Sequence, residues 1–235
     1  MRSRSPWLVL IVLTLAACEI PAVGVTSGGH LRIFGPLAPL TSEPEEIGWV
    51  SHGLGDLPSP SFRETRHADA ALDLRVTAGE EPFLVARWTR ANLLATPFFS
   101  WSWRVDPHEG DTHPVRLIVG FYGGNPESAS LGSQPLAFLS GPLPPFDRAV
   151  SIIWRRKALE RGNFLAGTPV PRYVARSGLE NCGRWWQENV DLSLIYNTLW
   201  PGDDVTETQI TFVGFAADPT KTVSSMAFGD LSLYR

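Results

Sequence analysis

The stretch Pro97–Tyr122, PFFSWSWRVDPHEGDTHPVRLIVGFY, constrains the fold more than any other part of the chain. In its first half Phe99, Trp101, Trp103 and Val105 share one parity, and Ser100, Ser102 and Arg104 share the other. Alternation with period two predicts a strand with one buried face and one polar face. The second half, Val115 to Phe121, is apolar except for Arg116 and Gly120 and predicts a second strand. Between them, residues 106–114 (DPHEGDTHP) are rich in turn formers and acceptors. Trp101 and Trp103 share their face with Phe99, and this face is expected to be core. Each indole would bury roughly 150–250 Å².

The rest of the chain repeats this theme. Leu72 to Thr77 alternates cleanly, and Phe83 to Thr89 should pair with it as a hairpin across Gly79-Glu80-Glu81-Pro82. Further strand-like runs are His30 to Phe34, Ile47 to Val50, Leu136 to Leu139, Ala149 to Trp154, Val170 to Arg176, Arg184 to Val190, Thr208 to Ala216 and Ser225 to Tyr234. Asp191 is placed to cap one short helix, Leu192 to Leu199, which Pro201-Gly202 ends. With 21 Gly and 20 Pro separating short strands, the pattern predicts an all-β fold. The expected form is a two-sheet antiparallel β-sandwich, jelly-roll-like, with at most one or two short helices. A hydrophobic content of 43% allows a substantial core, and no second core is visible. The expected division is a signal segment over 1–17, a tether over 18–29 and one sandwich domain over 30–235.

The N-terminus predicts export. Arg2 and Arg4 precede an apolar run, Pro6 to Leu15, too short to span a bilayer. The run ends in Leu15-Ala16-Ala17-Cys18, which resembles the bacterial lipobox. That resemblance implies a thiol-linked lipid on Cys18, a mature chain starting there and a membrane partner reached through the lipid. Glu19 follows in place of the Asp that would favour inner-membrane retention, so the resemblance implies outer-membrane delivery. The only other cysteine is Cys182, so a lipidated Cys18 leaves no intrachain disulfide. A net charge of −4 without a long basic run argues against nucleic acid.

A further resemblance covers most of the chain from Ile47 onward. Ser100-Trp-Ser-Trp-Arg-Val-Asp106 resembles the signature of a bacterial family described as domain of unknown function 3047. Gly48-Trp49, Gly110-Asp111, Arg116, Val119, Phe121, Ile153-Trp154, Ser177-Gly178, Trp186, Glu188, Tyr196, Asp218 and Phe228-Gly-Asp-Leu231 resemble its other landmarks, in order. The resemblance implies an exported β-sandwich and leaves activity open. Thr112, Ile195 and Thr220 stand where the family carries acids, which removes three carboxylates from any site built on its pattern.

No G-x-S-x-G, H-E-x-x-H, P-loop or G-x-G-x-x-G is present, so no catalytic residue is assigned. Trp185 and Trp186 are adjacent and must face opposite sides of a strand, so one of them is a candidate stacking surface. The family landmarks favour Trp186, with Glu188, Asp111 and Arg116 as hydrogen-bonding partners at a rim of the sandwich. Asp230 resembles the acid that helps hold a structural Ca²⁺ in the last strand of many carbohydrate-binding jelly rolls. Calcium needs six to eight oxygens, and the sequence supplies one. His108 and His113 flank Asp111 as a weak metal pair. The favoured reading is a non-catalytic module for an envelope glycan. The alternatives are a structural lipoprotein that binds another envelope protein, and a glycan-acting enzyme with Asp111 or Glu188 as its acid.

Overall fold

The computed structural model describes residues 22–34, 48–53, 62–66, 72–125, 143–165 and 167–235. Cys18, the signal segment and the expected strand at Leu136 to Leu139 lie outside the described residues. The strands are β1 (Val23–Gly24), β2 (His30–Arg32), β3 (Trp49–His52), β4 (Phe62–Arg66), β5 (Leu72–Ala78), β6 (Phe83–Asn92) and β7 (Phe98–Val105). They continue as β8 (Val115–Tyr122), β9 (Arg148–Arg155), β10 (Phe164–Leu165), β11 (Arg172–Ser177), β12 (Trp185–Asp191), β13 (Gln209–Ala217) and β14 (Ser224–Tyr234). One α-helix, α1 (Leu192–Leu199), and a single 3₁₀ turn, Leu179–Asn181, complete the described elements.

Two sheets stack face to face as a jelly-roll-like sandwich. The larger runs β1-β6-β13-β8-β9-β11-β10, with β3 also on β6, and the smaller runs β12-β7-β14-β5-β4, with β2 also on β14. Ten of the described pairings are antiparallel. The exceptions are β1 with β6 and β11 with β9, which are parallel. The expected two-sheet antiparallel sandwich is thus what the structure shows, with two parallel pairings inside it. After β9 the chain crosses over before β11 returns in the same direction, and β10 pairs on the far side of β11.

The alternation of β7 sets the core. Phe99, Trp101, Trp103 and Val105 are fully buried and meet Met226, Phe228, Leu231 and Leu233 of β14. From the opposite sheet come Leu117, Val119 and Phe121 of β8, Val150, Ile152 and Trp154 of β9, and Val213 and Phe215 of β13. Trp103 packs edge-on against Trp101 and Trp154, with ring centroids 5.4 and 5.5 Å away. The continuous apolar run of β8 also has a structural cause. Its other parity buries Ile118 against Phe212, Ala216, Phe146 and Ala149, so this strand is covered on both faces. Gly214 lies in the same layer, where a Cβ would sit 2.1 Å from the Val85 carbonyl oxygen. Only glycine lets β13 approach β6 this closely.

Some elements lie where no pattern predicts them. Within the expected tether, Val23–Gly24 pairs with Thr89 and Arg90 of β6, and Thr26 closes a turn onto the His30 carbonyl. Two residues are too short a run to show a side-chain period, so β1 and β10 leave none to read, and the FRETR of β4 is almost wholly polar. By contrast α1 starts where its cap predicts, with Asp191 Oδ1 accepting from the amides of Ser193 and Leu194 at 2.9 and 3.1 Å.

Candidate functional site

β12 pairs with β7 over its whole length, with Trp185 opposite Arg104, Trp186 opposite Trp103 and Glu188 opposite Trp101. This register sends Trp186, Glu188 and Val190 inward and Trp185, Gln187 and Asn189 outward. Trp186 packs against the core, its indole N–H donates to the Asn181 carbonyl at 2.8 Å, and the Arg176 guanidinium sits 3.9 Å over its ring. The expected stacking surface is therefore closed at Trp186, and the outward indole is that of Trp185.

Glu188 is 1% exposed. Its Oε1 accepts from Trp103 Nε1 at 3.2 Å and from Arg176 Nε, and its Oε2 accepts from Arg161 at 3.1 Å. Both oxygens are occupied from within the protein, so Glu188 is a structural anchor and has no open side for a substrate. Arg116 belongs to a different surface. It shares parity with Ile118, on the face of the large sheet turned away from the core, and its Nη1 lies 2.7 Å from Asp218. Arg172 reaches the other oxygen of Asp218 at 3.1 Å. Burial pulls the Arg116 guanidinium below its ordinary pKa, and Asp218 works against that shift. Asp111 is exposed in the turn, with its carbonyl accepting from the Arg156 amide. The four residues thus divide between two places, and no shared surface forms: the large sheet separates Arg116 from Trp186 and Glu188.

Asp230 sits at a bulge of β14, exposed, with φ 53°. Asp tolerates this left-handed conformation better than most residues, so the bulge alone accounts for it. Among the described residues no three His, Cys, Asp or Glu side chains gather as a metal-binding group. His108 and His113 do meet, edge to face with centroids 4.8 Å apart.

His113 is buried, and its Nδ1 accepts from the Val115 amide at 3.1 Å, which requires the neutral ring. Burial pushes its pKa down to about 3, His108 beside it acts in the same direction, and backbone groups of Val115 and Ser225 oppose. In the unfolded chain the ring titrates near its ordinary value, so between that value and about 3 the unfolded state binds the extra proton. Stability is therefore full above the ordinary His pKa and falls as pH drops toward 3, by up to ~1.4 kcal/mol per pH unit from this one group. Urea unfolding of wild type and His113→Asn at stepped pH checks this. Asn keeps an acceptor for Val115 and does not titrate, so its stability should fall less steeply by about one proton. Parallel curves would contradict it.

The outward face of the small sheet collects a different set of groups. Trp185 lies over a low floor: a Cβ on Gly229 would lie 3.9 Å from Ser102 Cβ and 4.0 Å from the Trp185 ring. One row across the sheet is Gln187, Ser102 and Gly229, and the next is Asn189, Ser100 and Ser232. The Ser100 and Ser232 hydroxyls are 3.1 Å apart, and Asn189 donates to the Tyr234 hydroxyl. Beyond them Tyr234 stacks with His30 at 5.7 Å and leans on Phe98 at 5.5 Å. Trp185 is opposite Arg104 and Tyr234 opposite Phe98, six residues away along β7. At ~3.3 Å per residue the two aromatic ends stand roughly 20 Å apart. Arg104, Gln187 and Asn189 are well exposed. The surface is a strip of hydroxyls and amides with an aromatic group at each end. Its signal in the sequence is the polar parity of β7 (Ser100, Ser102, Arg104). What was missing was the register that makes Trp185 and Tyr234 share that side.

Comparison with solved structures finds similar folds. The family 11 carbohydrate-binding module of the cellulosomal cellulase Lic26A-Cel5E of Clostridium thermocellum is 6% identical, with a TM-score of 0.40, covering 89% of this chain and 96% of that one. The family 30 carbohydrate-binding module of cellulase Cel9D-Cel44B of the same organism is 12% identical, with a TM-score of 0.38, covering 80% and 90%. A cellulase derived from Cel12A of Rhodothermus marinus is 10% identical, with a TM-score of 0.39, covering 80% and 91%. No protein-family model matches the chain, and no curated protein matches it.

Proposed function

We propose that this protein is a non-catalytic glycan-binding module whose binding surface is the open face of the small sheet, held at a membrane by lipid on Cys18. The observation that carries the binding surface is the polar strip between Trp185 and Tyr234. An indole offers a flat apolar face to the C–H side of a pyranose, while Ser, Asn and Gln side chains meet the hydroxyls. The roughly 20 Å length suits an extended oligosaccharide lying along β7. A protein partner is less well served. Among the described residues the most exposed large apolar side chains are Leu94, Leu159, Leu194 and Val223, and none of them is on this face. The lipid anchor is supported by the lipobox resemblance.

A glycan array followed by calorimetry on the best-bound oligosaccharide tests the reading. Trp185→Ala should weaken binding by at least ~tenfold, because stacking residues dominate such sites. Its urea midpoint should move less than that of Trp186→Ala, because Trp185 lies on the outward face while Trp186 packs against the core. Trp186→Ala should do the reverse, losing stability while retaining the site. If Trp185→Ala binds as well as wild type, the open face is not the binding surface.

A further inference from the structure

One interior strand position on the open face carries no side chain. Gly229 lies in β14, paired with Ser102 of β7 on one side and Asp73 of β5 on the other. Glycine weakens a strand interior, and there it marks a bulge, a close approach of another backbone, or a ligand. The first two reasons do not apply. The left-handed conformation of the neighbouring bulge falls on Asp230, with φ 53°, and not on Gly229. At Gly120 and Gly214 an added Cβ would sit 2.0 Å from the Phe212 ring and 2.1 Å from the Val85 carbonyl oxygen, so packing demands glycine there. At Gly229 the nearest atoms are Ser102 Cβ at 3.9 Å and Trp185 Cζ3 at 4.0 Å, which is ordinary contact. A methyl group fits in that space, and a longer branched side chain meets the indole.

The indole comes from a distance. Phe228 points into the core, so Gly229 faces outward, yet Gly229 is itself buried. Trp185 belongs to β12, and β7 lies between β12 and β14. Two strand spacings are roughly 10 Å. The side chain therefore reaches diagonally across β7 and comes down low over the row of Ser102 and Gly229 instead of standing away from the sheet. Its platform is then level with the hydroxyls and amides of Ser100, Ser232, Gln187 and Asn189. A chain that stays flat along β7 can stack on the ring and meet those groups with successive units, whereas a helical chain leaves the surface. We propose that Gly229 is a positioning residue that keeps Trp185 low, and that the strip therefore selects a flat, extended, β-linked glycan over a helical, α-linked one. This inference rests on the glycan reading of the open face.

The test compares wild type, Gly229→Ala and Gly229→Val by NMR of the ¹⁵N-labelled proteins, calorimetry and urea unfolding. Valine suits a strand, so Gly229→Val should unfold at no lower urea concentration than Gly229→Ala. In the free protein Gly229→Val should shift the Trp185 indole N–H and leave those of Trp101 and Trp154 in place. Calorimetry uses the best-bound of the β-linked tetrasaccharides of glucose, mannose and N-acetylglucosamine, with α-linked maltotetraose as the helical chain. Gly229→Val should bind the β-linked chain at least ~tenfold more weakly than wild type, and Gly229→Ala should stay within about threefold. Wild type should bind maltotetraose at least ~tenfold more weakly than the β-linked chain. An unmoved Trp185 indole or unchanged affinity in Gly229→Val would overturn the role of Gly229 and leave the open face standing as the binding surface. Maltotetraose bound as tightly as the β-linked chain would overturn the selectivity. Binding of none of the four by wild type would remove the glycan reading itself, and this inference with it.

Discussion

Trp103→Ala should destabilise the protein by ~3–5 kcal/mol. The indole is fully buried at the centre of the sandwich, between Trp101, Trp154 and Phe228, so its removal opens a cavity that both sheets border. Domains of this kind have only ~5–15 kcal/mol of stability in total, so the loss is a large fraction. The substitution also removes the Nε1–H that donates to Glu188. Trp103→Phe keeps an aromatic ring and loses the hydrogen bond, so it should fall between wild type and the alanine variant. Urea unfolding of the three proteins is the check, and an unchanged midpoint for Trp103→Ala would contradict the packing described.

Glu188→Ala should cost a similar ~3–5 kcal/mol, by a different mechanism. It strips Arg176, which is 15% exposed, and Trp103 of their shared acceptor and leaves a largely buried guanidinium without its counter-charge. Arg161 adds little because its side chain is 60% exposed and screened by water. Replacing the pair together changes the expectation. Glu188→Leu combined with Arg176→Met should be less destabilised than Glu188→Leu alone, because no unpaired charge remains. Additive losses would show that the ion pair is not the cause. This prediction also separates the anchoring role from that of a catalytic acid, which would lose activity while keeping its stability.

The fold was legible because its main determinants are local. The alternation from Phe99 to Val105 predicts a half-buried strand, the apolar run of β8 fits a strand covered on both faces, and Asp191 marks the start of α1. Arg87 shows where such reading fails. It lies within an apolar strand, points into the sandwich over Trp49 at 5.8 Å and donates to the Ile33 carbonyl. No periodicity announces an inward arginine. The site was only half legible for a related reason. Adjacency shows that Trp185 and Trp186 face opposite ways, but which one faces out depends on the pairing register with β7, and that is set across more than eighty residues of chain. The family landmarks favour Trp186, and its partners Asn181, Arg176 and the core explain its inward placement structurally. Asp218 and Arg172 join the turn around His108 only through the ends of β11, β13 and β8, which no local pattern relates.

The most direct measurement of the glycan reading is chemical-shift mapping of the ¹⁵N-labelled protein with tetrasaccharides of β-linked glucose, mannose and N-acetylglucosamine. A ligand lying along β7 should shift the backbone amides of Ser100, Ser102 and Ser232, the side-chain amides of Gln187 and Asn189, and the Trp185 indole N–H together. The inward indoles of Trp101 and Trp154 should stay still. Shifts confined to the large sheet, or none with any of the three, would contradict the open face of the small sheet as the binding surface.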